Sequence, residues 1–295
     1  MFKVSKEQSI YSMSQANEPV LRIPAKSQIE FETNDCFCGQ IKSENDKFDG
    51  LNWSRINPAT GPVYIEGAEP GDILCVKIDK IDVADTGVVV TGKDMSVVGG
   101  LLDDYTIKIV PIENDLAVFS DKIHLPLNKM IGVIGVAPKD EPIACGAPDY
   151  HGGNMDCKEI TEGVTLHLPV NVPGALLALG DLHAVMADGE VGATGIEIAG
   201  KVKVSVDIIK NKPLPSPMLF TDTHIMTIAS HVDLDEAVNM AVLHMAEYLK
   251  EETAADMAEV AMLISLTGDV QICQVVDPKK TIRVAFPKSL FEAMK

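Results

Sequence analysis

Two short motifs carry most of the side chains in this sequence that could do chemistry together. His151-Gly-Gly-Asn154-Met-Asp156 and Gly180-Asp181-Leu-His183-Ala-Val-Met-Ala-Asp188-Gly-Glu190 supply two imidazoles, one carboxamide, three aspartates and a glutamate. The neighbouring glycines let backbone approach a bound group closely. Carboxylates this dense repel one another unless a cation or shared protons separate them. Any one of these residues alone reads as a turn former or a hydrogen-bonded strand end. The set reads as a metal or substrate site, because ordinary loops rarely gather histidine and carboxylates at two successive glycine-flanked points.

The elements that position the motifs follow from patterning. Leu176 to Leu179 form an apolar run of the kind that makes a buried strand. If that strand stays extended through Ala184, Asp181 and His183 share a face. Asp188 and Glu190 repeat the same spacing, and Gly152-Gly153 sets Asn154 and Asp156 on a turn or strand end. Short β-favouring runs recur upstream: 19–24, 27–31, 63–65, 73–81, 107–110, 116–119, 123–125 and 130–136. Val202 to Ile208 alternates apolar and polar residues in the manner of a half-exposed strand.

Lys212-Pro-Leu-Pro-Ser-Pro217 interrupts this regime, since prolines cannot donate ladder bonds. Beyond it, Leu234, Val238, Ala241, Val242, Met245 and Leu249 recur at helical spacing, with Asp233 as N-cap and Glu236 at the capping-box position. A second helix is expected over about 254–266, burying Met257, Val260, Ala261 and Ile264, followed by a hairpin over 270–286. The expected fold is mainly β with a smaller α+β C-terminal lobe, around a sandwich or barrel-like core. Residues 1–211 form the β-rich lobe with the polar cluster, 212–217 the linker, and 218–295 the C-terminal lobe packed on the first.

Composition narrows the partners. Hydrophobic residues at 46% against 23% charged residues argue against disorder. A net charge of −18 without a basic stripe disfavours nucleic acid and leaves neutral or cationic small molecules as ligands. No leader-like N-terminus or long apolar run is evident, which points to a cytoplasmic protein with no membrane partner. Six scattered cysteines make no disulfide framework, and Cys36-Phe-Cys38 lacks the spacing of a zinc knuckle. Trp53, the sole tryptophan, reads as packing beneath the polar loop 39–60. Residues 87–100 read as a rim of the site.

The two motifs resemble those of the acetamidase/formamidase family of amide hydrolases, HGGNMD and GDLHAxxxDGE. Phe31-Glu-Thr-Asn-Asp35-Cys-Phe-Cys-Gly39-Gln40, Gly61-Pro-Val-Tyr-Ile-Glu66-Gly-Ala-Glu69-Pro-Gly-Asp72, Ser230-His231-Val-Asp233-Leu-Asp235-Glu236-Ala and Gln274-Val-Val-Asp277-Pro are similar to further family segments. The resemblance covers roughly residues 10 to 290. Ala187 departs from the glycine expected there, with no loss of a polar group.

The resemblance implies hydrolysis of a small neutral amide of the formamide or acetamide type. It also implies a divalent ion among Asp35, His151, Asp156, Asp181, His183 and Glu190, with zinc favoured as the catalytic ion and calcium possible nearby. Glu190 would act as base and then acid, and Asn154 or glycine backbone N–H groups would hold the oxyanion. His183 and Asp188 complete the catalytic set. A homodimer or higher homo-oligomer is expected.

Two other accounts compete. Cys157, activated by His151 or His183, would make a thiol amidase. A non-catalytic β-rich protein with structural calcium is disfavoured by histidine within the acidic cluster.

Overall fold

A computed structural model describes residues 1–295. Nine strands form one sheet and eleven form another. Between them lies a core of 38 buried residues, including Phe31, Val76, Ile78 and Val204 from the first sheet and Ile131, Ile134, Leu179 and Leu182 from the second. This is the sandwich form of the expected architecture, and there is no closed barrel. Gly200–Ile209 alternates as its sequence requires, burying Val202, Val204 and Val206. By contrast Met130–Gly135 and Leu177–His183 are buried at every position, because each lies between two strands in the second sheet with both faces covered.

Helix α1 (Leu234–Glu252) begins where Asp233 accepts a 3.1 Å bond from the backbone N–H of Glu236. It buries Ala237, Ala241, Met245 and Leu249 against a second core of 14 residues that starts at Met218. Helix α2 (Met257–Thr267) starts three residues later than patterning suggested and buries only Val260 and Ile264. Met257 is 46% exposed and Ala261 is also exposed, so the helix touches the core along one narrow stripe. Helix α3 (Lys288–Met294) and the strand His224–His231 were not evident from patterning. No helix is long and apolar enough to cross a membrane.

Residues 212–217 form no strand, yet they do not mark a division between the two cores, since the first core includes Leu219, Met226, Ile228, Cys273 and Ala285 beyond them. They do not interrupt the first sheet. Thr165–Pro169 pairs antiparallel with Met218–Phe220, with Leu166 opposite Leu219. One hydrogen-bonded sheet thus runs through strands on both sides of 212–217.

Candidate active site

Strand register assembles the site. Met130–Gly135 lies between Gly152–Asn154 and Leu177–His183, with Val133 opposite both Asn154 and Gly180. Leu177–His183 pairs in turn with Glu197–Ile198, so His183 faces Glu197 directly. The two motifs therefore meet across one intervening strand. Gly132 makes room for them. A Cβ there would stand 2.5 Å from Asp156 Oδ1 and 2.7 Å from Asp181 Oδ2. Asp156, Asp181 and Glu190 have φ of 42°, 55° and 45°, left-handed backbone costing about 1–3 kcal/mol at a non-glycine residue.

Asp156, Asp181, His183, Glu190, Glu197 and Asp277 line one cavity of about 670 Å³. No lysine or arginine lines it. His183 Nε2 lies 3.1 Å from Glu197, 3.6 Å from Asp181 and 3.8 Å from Asp156. Burial works against its cationic form, but Glu197 and Asp181 prevail and hold its pKa well above the ordinary value. Burial, reinforced by Asp156, pushes Glu190 well above the carboxylate range; burial and Asp277 do the same to Asp156. Burial raises Glu197 to about 7, with His183 opposing and Asp181 assisting. Without an ion, this cluster retains protons at neutral pH to limit its own repulsion.

The donor set fits a divalent cation. Oδ1 of Asp156, Asp181 and Asn154 are buried without a hydrogen-bond partner. Ligand atoms of Asp156, His183 and Glu190 lie within 4.8 Å of one another, as do those of Cys36, Asp181 and Glu197.

Not every residue singled out in the sequence faces this cavity. Asn154 does, but its Nδ2 donates to Asp277 Oδ2 at 3.0 Å and is engaged with a carboxylate. Asp35 accepts from the backbone N–H of Gly39 and shapes the turn that presents Cys36 and Phe37 to the cavity. Its carboxyl is raised by burial, but it does not line the pocket.

His151 is wholly buried outside the cavity, with neither ring nitrogen hydrogen-bonded. Burial lowers its pKa to about 4, so it is neutral at pH 7. The unfolded chain takes this proton near the ordinary 6.5, before the folded chain does. Stability should therefore fall as pH drops from 6.5 to 4, by about 3 kcal/mol from this residue. Urea midpoints at pH 7 and pH 4.5 should differ less in His151→Leu than in the parent; equal differences would remove His151 as the cause.

Asp188 also points elsewhere. Arg283, a fully buried side chain, donates to its two oxygens at 2.7 and 2.8 Å, and Lys158 stands 2.9 Å away. Burial opposes the Asp188 charge, but these partners hold its pKa below the ordinary value. Its contribution is to anchor the turn that carries Glu190. Arg283→Met should destabilise the fold by about 2 kcal/mol, read from urea unfolding, because the buried fork is lost and Asp188 remains partly covered. A change within error would show that the pair does not hold this turn.

Cys157 is buried beside Cys273, Arg283 and Glu159 and has no surface on the cavity. A thiol nucleophile there lacks access to a substrate. Cys36 does line the cavity, but burial, with Glu197 adding to it, raises its pKa and keeps the free thiol protonated. Glu197, Cys36 and Asp277 were not assigned from the sequence. The available signal for Glu197 was an acid set between Ile196 and Ile198 in a buried strand.

A two-sheet sandwich thus carries an acidic, histidine-bearing pocket of the kind that can serve hydrolysis. The chain belongs to the Acetamidase/Formamidase family, whose model matches residues 15–145 and 143–293. An acetamidase structure from Bacillus halodurans superimposes with a TM-score of 0.98 at 45% identity, covering 99% of each chain. The crystal structure of a predicted acetamidase/formamidase from Thermoanaerobacter tengcongensis gives a TM-score of 0.97 at 48% identity, covering 99% of this chain and 97% of that one. A formamidase-named protein of Schizosaccharomyces pombe is 28% identical over 62% of this chain, and the match spans 60% of that relative's length.

Proposed function

We propose that this protein hydrolyses short neutral amides of the formamide and acetamide type to carboxylate and ammonia, using a divalent cation in the acidic cavity. The observation that carries the reading is a cavity with five carboxylates, one histidine and no lysine or arginine. Such a floor is compatible with a cation or with protons, and an anionic substrate would be repelled from it. The donors suit zinc best, because Cys36 and His183 stand among the oxygens, whereas calcium sites rarely use imidazole.

A divalent cation, when bound, polarises the amide carbonyl and acidifies the attacking water. Asp156, Asp181, His183 and Glu197 would hold it. Glu190 takes the proton from water as the oxygen bonds to the carbonyl carbon, then returns it to nitrogen as the carbon–nitrogen bond breaks. Asp277, accepting from Asn154, fixes that side-chain amide on the cavity wall. Arg283 and Asp188 restrain the turn that aims Glu190.

Ammonia release from acetamide and formamide tests the reading when measured before chelation, after chelation, and after separate return of zinc, manganese and calcium. Recovery with one ion supports it and names the ion. Activity indifferent to chelator would overturn the metal route. A cytoplasmic location is supported by six free cysteines, which fit a reducing compartment. Self-association is supported by Leu243, Met262 and Leu266, which α1 and α2 leave exposed.

A further inference from the structure

The cavity is much larger than the molecules just named require. At about 670 Å³ it falls among pockets that enclose drug-sized ligands, commonly about 300–1,000 Å³. Acetamide would occupy only the polar floor. Much of the remaining wall is apolar or aromatic, with Tyr11, Phe37, Phe48, Trp53, Ile56 and Met95 beside the polar Ser54, Asn57 and Thr194.

Trp53 departs from the packing role its sequence position suggested. It lines the cavity, yet is 57% exposed. Its ring meets the buried Phe48 edge-on, with centroids 5.2 Å apart and planes at 84°, and Phe48 meets Phe37 in the same manner. The turn beneath it is fixed by Asn52, whose Oδ1 accepts from the backbone N–H and hydroxyl of Ser54 while its own N–H donates to Gln40. An indole held by a rigid turn, backed by one aromatic ring and otherwise open, offers a preorganised surface for another ring. The acidic floor disfavours anionic groups, a condition that a neutral carboxamide meets.

We infer that this protein takes a neutral carboxamide bearing an aryl group, with the amide on the acidic floor and the ring against Trp53. The inference rests on the amidase reading above and deepens it. Burying a phenyl group should favour phenylacetamide over acetamide in kcat/KM by about 10- to 100-fold. The two substrates differ by one phenyl group in place of a hydrogen.

The experiment measures that ratio for the metal-loaded protein and for Trp53→Ala and Trp53→Phe, together with tryptophan emission during amide titration. Trp53 is the sole tryptophan, so emission reports contact at this surface without turnover. Expected are a ratio above 10, its collapse in Trp53→Ala, its retention in Trp53→Phe, and a saturable emission change at lower phenylacetamide than acetamide concentrations. A ratio near one in the parent, or one unchanged in Trp53→Ala, would overturn the aryl assignment while leaving acetamide hydrolysis standing. If no amide is turned over, the amidase reading falls, and the emission titration still decides whether an aryl amide binds here.

Discussion

Replacing Glu190 by glutamine is expected to lower kcat on acetamide by about 10²- to 10⁴-fold, the usual worth of a positioned proton carrier. Glutamine keeps the shape and cannot accept water's proton. The expectation rests on geometry before charge. Glu190 lines the cavity with Asp156 and His183, and its backbone is held by a turn whose Asp188 is gripped by Arg283. Because its carboxylate also stands within ligand distance of Asp156 and His183, bound-ion content must be measured beside kcat. Low kcat with normal ion content and a nearly unchanged KM assigns the proton step to Glu190. Low kcat with lost ion makes it a ligand instead, and kcat within a few-fold of the parent removes it from the chemistry.

Asp181→Asn should separate stability from activity. Burial first, with Asp181 adding to it, raises the pKa values of Asp156, Glu190, Glu197 and Asp277 in the metal-free protein, so Asp181 burdens four carboxyls against the one imidazole, His183, whose cation it supports. Its φ of 55° lies in a region that asparagine tolerates at least as well as aspartate. Removing the charge is therefore expected to raise the metal-free Tm by a few degrees, corresponding to about 1–2 kcal/mol. Under the proposed metal route turnover should fall by about 10²-fold or more, because one of the groups proposed to hold the ion is lost. With saturating ion the order should reverse, since the parent gains more from binding. Calorimetry with and without ion checks this crossing, and a variant that melts below the parent in metal-free buffer would refute the repulsion argument.

Much of this site was legible because its two motifs lie close in the sequence and alternation has a short range. Asp181 and His183, two residues apart on a strand, do converge. Asp156 joins them only because Met130–Gly135 inserts between the two motif strands, a register that no local pattern encodes. His151 and Asp188 illustrate the limit in the other direction. Both sit inside motifs, yet one is buried behind the cavity and the other is captured by an arginine 95 positions away. Glu197 escaped notice because one acid in an apolar strand looks like an exception until its ladder partner proves to be His183. The fold class was more accessible than the lobe boundary. Three prolines break the strand pattern at 212–217, but the first core continues past them to Leu219 and Ala285, and the pairing of Leu166 with Leu219 depends on a partner some fifty residues away.

That uninterrupted sheet makes the chain a natural subject for fragment complementation. If the backbone were opened within 212–217, each piece would present a strand edge cut to fit the other, Thr165–Pro169 on one and Met218–Phe220 on the other. Neither piece alone could complete the cavity, because Asp277 lies on the second and His183 on the first. Amide turnover would then be a readout of reassembly, silent in each fragment and restored by mixing.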